Sequence, residues 1–397
     1  MVPAVVVATH VMGLGVIRSL GIMGIPVIAV SFNRNDMGQY SRYVLKRFSI
    51  CHPEEEAQGF IAALIQLSRP DQRMLLIPAD DAPLLVISKY KKELEKYFAV
   101  AANDWNITKQ CLDKNLTYDA AKSIDVDIPK TIPIRTPDDL AAAKNEVRFP
   151  CLLKPRFSHA YYDQFKKKMA FVRNMKELDQ AYQEAQSHSH SMVLQEFVVG
   201  PTINEYNYNS YVHNNQTFAE FTARKIRMGP TEDSFPRVVE SIDVPEIKEK
   251  GKLVLQKIGF QGYSCMEFKK DIRDNRYKLM EVNGRFNRSL LLCTACGVNF
   301  PWIMYQQMVN NIAVSQNQMK KKIFWIDMTN DFYKSIKYFK TEKQNFMSFL
   351  KPYFHTHVDS IFDIRDLQPF IRRLLTPFTI ILHKFPFFRK ENIHKTK

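Results

Sequence analysis

Two short apolar runs near the start of the chain, Ala4-Val-Val-Val-Ala8 and Ile25–Val30, limit what it can fold into more than any other feature. Continuous β-branched runs of that length read as strands buried on both faces, and Val16–Leu20 between them is helical in texture. Strand, glycine turn, helix, strand is a βαβ unit, which commits the chain to a parallel sheet with helices on its faces. Met74–Ile77 supplies a further strand, followed by Pro78-Ala-Asp-Asp81 and a helix through about Lys96. Residues 1–104 therefore read as a small doubly wound α/β domain. Gly13-Leu-Gly15 begins like a dinucleotide fingerprint, but Arg18 stands where the third glycine belongs and Ser31-Phe-Asn33 offers no acid. A bound NAD is not expected; the glycines are expected to turn the backbone and leave a helix N-terminus open to an anion.

The chain has 397 residues, enough for two or three domains. Its 45% apolar and 24% charged residues exclude a wholly disordered chain, a collagen and a disulfide scaffold. Six cysteines without regular close spacing fit a reducing compartment. No uncharged apolar stretch is long enough to span a bilayer, and the opening residues lack the basic flank of a signal peptide. The expectation is a cytoplasmic protein. The net charge of +15 is uneven: residues 318–397 hold 16 Lys/Arg against 7 Asp/Glu, while residues 1–317 hold 40 against 34. A body so nearly balanced, with no zinc finger or RNA-recognition signature, argues against a nucleic-acid partner. Residues 367–390 mix large apolar groups with Arg372, Arg373, Lys384, Arg389 and Lys390. Such a segment is suited to the inner face of a membrane. The alternative is an element docked on its own core, with Pro377 and Pro386 interrupting any long helix.

After Trp105 the texture becomes α+β. A helical segment holding Lys109 and Lys114 leads to Ile128-Pro129, and Thr136-Pro-Asp-Asp139 has the makings of a helix start. Phe149–Pro155 reads as a buried strand ending in Lys154, and Met192–Val198 as another, closed by Gly200-Pro201. Residues 206–221 alternate as half-buried antiparallel strands do. A helix over Pro245–Ile258 follows, then strands Gly262–Lys269 and Arg276–Val282 joined by a charged turn.

That last pair is the most informative stretch. Glu267 and Glu281 each interrupt an otherwise apolar run, and a hairpin would place them opposite one another. Two adjacent carboxylates repel unless a cation lies with them. Glu267, Glu281 and Asn283 offer only oxygen donors, which suits Mg²⁺ sharing a phosphate, with Mn²⁺ as a substitute. Salt bridges to Lys269, Arg285 or Arg288 on a purely structural hairpin are the alternative. Lys154 at a buried strand end and Lys114 beside Asp113 are the cations a nucleotide phosphate would need. Gln195, Glu196, Phe197 and Val198 offer backbone groups and apolar side chains for an adenine slot.

Taken in order, these marks resemble the ATP-grasp superfamily, in its carboxylate–amine ligase branch, and within it the D-aspartate ligase-like proteins. The resemblance runs over about residues 1–315. It rests on Gly13-Leu-Gly15 with Ser41-Arg-Tyr43, Pro78-Ala-Asp-Asp81, Asp113-Lys114, Leu153-Lys-Pro155, Gln195-Glu-Phe197, Met266-Glu-Phe268 and Glu281-Val-Asn-Gly-Arg285. It implies an N-terminal pre-ATP-grasp Rossmann-like domain and then two lobes clasping ATP, the smaller over about 105–198 and the larger over about 199–315. Residues 316–397 would be a basic C-terminal extension. Lys114 and Lys154 would hold the phosphates, Glu196–Val199 the adenine, and Glu205 the ribose in competition with Asn204. Glu267, Glu281 and Asn283 would bind Mg²⁺, and Arg285 would act with Lys154 on the acyl phosphate. Arg224, Lys225, Arg285 and Arg288 would receive an anionic substrate. The implied chemistry joins a small-molecule carboxylate to an amine. The departure is the flap after the Lys-Pro strand: residues 156–168 contain no glycine, which leaves open a non-catalytic nucleotide-binding module.

Other constellations point elsewhere or nowhere. Cys293-Thr-Ala-Cys296 lacks a second cysteine pair and is expected to pack in a helix. His188/His190 and His355/His357 have no third ligand and read as surface features. Arg224-Lys-Ile-Arg227 reads either as a carboxylate clamp or as a solvated basic turn.

Overall fold

β1 (Ala4–Val7), α1 (Val11–Gly21), β2 (Val27–Ser31), β3 (Val44–Ser49), α2 (Ala57–Gln66), β4 (Met74–Pro78), α3 (Asp81–Lys89), α4 (Lys91–Leu94) and β5 (Phe98–Val100) make the first unit. Its sheet runs β3-β2-β1-β4-β5 with every pairing parallel. Alternation along β1 covers both faces: Ala4 and Val6 pack with Val16, Ile17 and Leu20, and Val5 and Val7 with Phe60, Leu64 and Ile87. The coordinates are a computed structural model that describes residues 1–155, 169–186, 192–229, 235–338 and 346–384. The glycine-free flap and His188/His190 lie outside the described residues.

The glycine turn is corrected. Gly13 and Gly15 lie inside α1, and the chain turns earlier, at Ala8 with φ 71°. Gly13 is required by packing: a Cβ there would lie 2.0 Å from the Ala8 carbonyl oxygen. His10 caps the helix, its Nδ1 accepting from the Met12 N–H at 3.3 Å.

α5 (Trp105–Leu112) and α6 (Lys114–Lys122) break at Asp113, whose carboxylate caps α6 through the Asn115 N–H. β6 (Thr131–Ile134), α7 (Pro137–Lys144), β7 (Cys151–Pro155), β8 (Ala170–Val172), α8 (Met175–Gln186) and β9 (Met192–Glu196) build an antiparallel sheet in the order β6-β9-β7-β8. Thr136 and Asp139 close a capping box on α7. Cys151, Leu153 and Leu194 pack beneath α7 and α8, so the alternate positions, Lys154 and Gln195, belong to the opposite face.

The largest sheet follows. It draws on β10 (Glu205–His213), β11 (Gln216–Met228), β12 (Pro236–Ser241), α9 (Pro245–Ile258), β13 (Gly262–Lys270), β14 (Tyr277–Asn283), α10 (Leu290–Ala295) and α11 (Phe300–Met308). β15 (Phe324–Ile326), α12 (Met328–Tyr338), α13 (Phe346–Leu350), β16 (His357–Asp359) and α14 (Gln368–Lys384) complete the chain. The strand order is β14-β13-β10-β11-β12-β15-β16. Tyr208, Met266, Phe268 and Leu279 pack against α9 on one face. On the other, Tyr211, Phe221, Tyr263 and Trp325 share one core with α1, α10 and α11, which joins the first unit to this sheet.

The C-terminal extension is therefore largely structural. β15 pairs with β12 and β16 with β15. Asp331, fully buried, accepts from Arg227 at 3.0 and 2.6 Å and from the Tyr353 hydroxyl at 2.8 Å. Asp366 accepts from Arg18 Nε at 2.9 Å and from Ser41 and Arg42 of the first unit. α14 continues through Pro377, where an interruption was expected. Cys293 and Cys296 are buried in the shared core, and burial pushes the Cys296 thiol up to about 11. The His355 and His357 rings meet the nearby Lys351 and His355 carbonyls and pack edge-on against Phe324 and Tyr353.

Candidate active site

The β13–β14 hairpin sets the site. Glu267 stands directly opposite Glu281, and Cys265 opposite Asn283. The register shifts next to this pair: Phe268 faces Leu279, so Met280 is an extra residue in β14. Without that bulge Leu279 and Glu281 would share one face; with it, Leu279 stays in the α9 core and Glu281 joins Glu267 on the other side. The Met280 carbonyl, displaced from the ladder, accepts from the Tyr118 hydroxyl at 2.9 Å. One local irregularity thus both aims a carboxylate and docks α6.

Cations converge on the pair. Lys225 Nζ, almost fully buried, donates to Glu267 at 2.8 Å and to Glu205 at 3.2 Å. Lys269 Nζ lies 3.3 Å from the other Glu205 oxygen. Lys114, the first residue of α6, reaches Glu281 at 3.8 Å. Lys154 Nζ donates to Gln195 Oε1 at 2.6 Å, and the Gln195 amide donates to Tyr118 and Thr131 at 3.1 and 2.9 Å. Both lobes are therefore tied to α6 through Tyr118.

The electrostatics follow from burial and neighbours. Burial, reinforced by Lys114, pulls Lys154 down to about 7. Glu281 holds Lys114 above the ordinary lysine value. Burial alone would raise Glu281, but Lys114, Arg285, Lys154 and Lys225 outweigh it and hold the carboxyl low. Glu205 is likewise held low against its burial by Lys225 and Lys269. Four lysines around three carboxylates leave a surplus of cation once all are charged, which favours a polyanion.

Oxygen chemistry is available for a divalent cation. Among the described residues no three His, Cys, Asp or Glu cluster as a metal site, so two carboxylates would need amide or phosphate oxygens. Asn207 supplies a reason to expect one: it is the ladder partner of Glu267, is 3% exposed, and its buried Oδ1 has no hydrogen-bond partner among the described residues. With Glu267, Glu281 and Asn283 it makes an all-oxygen set that fits Mg²⁺. Asn207 had no signal in the sequence beyond strand alternation.

Arg285 reaches the first unit. Asp81 binds it through two parallel hydrogen bonds of 2.8 and 2.9 Å. Beside them His10 Nε2 lies 3.0 Å from Asp80 Oδ2. With its Nδ1 accepting from Met12, His10 donates through Nε2. These residues stand at the C-terminal ends of β1 and β4, where the sheet order reverses and α/β sheets hold their ligands.

The remaining expected residues divide. Arg288 stacks over Phe235 at 4.6 Å and lies 3.5 Å from Asp327, and its Nε has no hydrogen-bond partner among the described residues. The Glu196 carboxylate is engaged by Arg273 at 2.6 Å and Lys278 at 3.3 Å. Phe197 meets Phe171 edge-on under the Lys269 ammonium, Val198 is buried, and the Val199 carbonyl accepts from the Ile272 N–H. Asn204 turns to the Lys270 carbonyl, which leaves Glu205 facing the lysines. Arg224 is a correction: it pairs with Glu240 at 2.7 Å, in line with Tyr206 on the α9 face, away from Lys225. A cavity of about 260 Å³ lined by Ile132, Leu194 and Glu196 opens on the helix side of the small sheet, away from Lys154.

Three lobes with this strand order, and lysines from two of them meeting a carboxylate hairpin, make up the ATP-grasp fold. Residues 113–306 match the family model described as carbamoyl-phosphate synthase L chain, ATP binding domain. That match covers just under half of the chain. D-aspartate ligase of Enterococcus faecium is 28% identical over 293 residues, 67% of this chain and 68% of that protein. The structure of N5-carboxyaminoimidazole synthetase from Staphylococcus aureus with ADP superposes with a TM-score of 0.61 at 16% identity, over 80% of this chain and 79% of that one. L-amino acid ligase from Bacillus licheniformis gives 0.59 at 14%, over 78% and 74%.

Proposed function

We propose that the protein joins an amino acid or similar small acid to an amine, at the expense of ATP and through an acyl phosphate. The observation that carries this reading is the convergence of Lys114, Lys154 and Lys225 on the Glu267–Glu281 pair, with Arg285 two residues beyond Asn283. Glu196–Val199 would hold the adenine and Glu205 the ribose. Mg²⁺, held by Glu267, Glu281 and Asn283 with Asn207, would neutralise phosphate charge. Lys114 and Lys154 bind the phosphates and keep the transferring group in line.

The substrate carboxylate, steered by Arg285 and Arg288, attacks the γ-phosphorus and ADP leaves. The amine nitrogen then attacks the acyl carbon. Arg285 stabilises the oxyanion of the tetrahedral adduct, which collapses to the amide as the C–O bond to phosphate breaks. Of the two protons that the ammonium gives up, one leaves on the phosphate and one goes to water. The carboxylates of Asp80 and Asp81 suit the approach of a cationic amine at the β1–β4 crevice. The D-aspartate ligase similarity supports an amino-acid substrate on the acid side.

The test is Mg²⁺-dependent ADP release with hydroxylamine across a panel of amino acids and related small acids. Hydroxamate formed with one acid, and lost in Lys154→Ala and Glu281→Gln, is the expected result. ATP binding without hydroxamate from any acid would favour the non-catalytic nucleotide-binding module.

A further inference from the structure

Large apolar side chains exposed to solvent gather where the chain leaves the large sheet. Phe362, Ile364 and Leu367 are exposed in the approach to α14, and Ile371, Leu374 and Leu375 are 43–48% exposed on the helix itself. Leu367, Ile371, Leu374 and Leu375 fall at i, i+4, i+7 and i+8, which is one stripe. The sequence continues that spacing through Phe378 and Leu382. The other side of the helix is the docked one. Phe370 packs with Val11, Leu14 and Met37, and the Arg372 guanidinium stacks 4.2 Å over the Tyr40 ring. The stripe therefore faces away from the protein.

Charge chooses the occupant. Residues 360–397 hold eight Lys/Arg and three Asp/Glu, and Asp366 is already engaged by Arg18. A second copy laid on the stripe would bring two such cationic segments together, which costs Coulomb energy. An anionic lipid surface accepts both features at once, apolar residues below the headgroups and cations among the phosphates. Among the described residues no helix is long and apolar enough to cross a membrane, so the mode is lying on the surface. We infer that the exposed stripe of α14, with the basic residues around it, binds the chain peripherally to anionic membranes. This does not rest on the ligase reaction.

The test is co-sedimentation of the full chain with phosphatidylcholine vesicles, with and without phosphatidylglycerol, at low and high salt. Pelleting is expected only with the anionic vesicles and should fall as salt rises. Leu374→Asp/Leu375→Asp should weaken partitioning at least about tenfold with unchanged circular dichroism. Leu374→Gln/Leu375→Gln serves if the charged pair disturbs folding. Absence of pelleting, equal pelleting on both vesicle types, or full pelleting of the variants would overturn the inference. So would a dimer in sedimentation equilibrium that these variants dissociate, because the stripe would then belong to a second copy.

Discussion

Asp81, the first residue of α3, grips Arg285 of the large lobe with both carboxylate oxygens, at 2.8 and 2.9 Å. The pair crosses from the Rossmann-like unit to the large lobe, at the point where the proposed reaction would place the acyl group. Burial would weaken the charge of Arg285, and Asp81 outweighs it, so the guanidinium is held firmly cationic. Under the proposed reaction Asp81 is thus a positioning residue. Asp81→Asn, which keeps the shape and removes the charge, is expected to lower kcat about 10–100-fold with the KM for ATP nearly unchanged. Steady-state kinetics with each substrate varied separately checks this; equal loss in both constants would point to general misfolding.

The proposed role of Lys154 at the phosphates predicts that nucleotide binding depends on pH. Burial pulls Lys154 down to about 7, so the neutral form is expected to prevail near pH 8, and a bound phosphate would favour the charged form. Binding of ADP or ATP at pH 8 should take up close to one proton. Affinity should then weaken above pH 7, by up to about tenfold per unit. Calorimetry in buffers of different ionisation enthalpy measures the uptake, and Lys154→Met should abolish it. The stability sign is the opposite of an ordinary lysine pair. Because folding depresses this pKa, the cost of burying the charged form is full below pH 7 and fades as pH rises toward the unfolded value.

Much of this site could be read from residue order, because alternation in strands determines which side chains share a face. The βαβ opening, the hairpin that opposes Glu267 to Glu281, and Lys154 at a buried strand end all follow from period-two patterns. What alternation cannot show is where it breaks. The bulge at Met280 decides the face of Glu281, and it is stabilised by Tyr118 from a distant helix. Arg224 was misassigned for a related reason: neighbours in sequence point to opposite faces of β11, and only Lys225 points to the site. Gly13 was read as a turn residue because the close approach of the Ala8 carbonyl is a tertiary contact. His10 and Asp80 lie seventy residues apart and carried no shared motif.

The two carboxylates of the hairpin should respond differently to neutralisation. Glu281→Gln removes a proposed metal ligand and the partner of Lys114, so kcat should fall at least about a hundredfold and the Mg²⁺ requirement should rise. Glu267→Gln in addition strips a charge-assisted bond from Lys225, which is 5% exposed and keeps only Glu205. That loss should cost about 1.5–3 kcal/mol of stability. Denaturant midpoints would separate the two variants: a shift for Glu267→Gln larger than for Glu281→Gln is expected.

Asp366 tests whether the C-terminal segment is an appendage or part of the fold. It is 2% exposed, and its partner Arg18, 3% exposed, also donates to the Ile361 and Asp366 carbonyls. Removing one member of a buried pair leaves the other charged and unsolvated, so Asp366→Ala should cost about 3–5 kcal/mol. A chain ending at residue 358 should fare worse, because it loses the whole cap on α1, whereas one ending at residue 376 retains it and should melt close to the full chain. If the 358 truncation melted like the full chain, the Arg18–Asp366 pair would have no structural weight, and the C-terminal segment would be an appendage on an independently stable core.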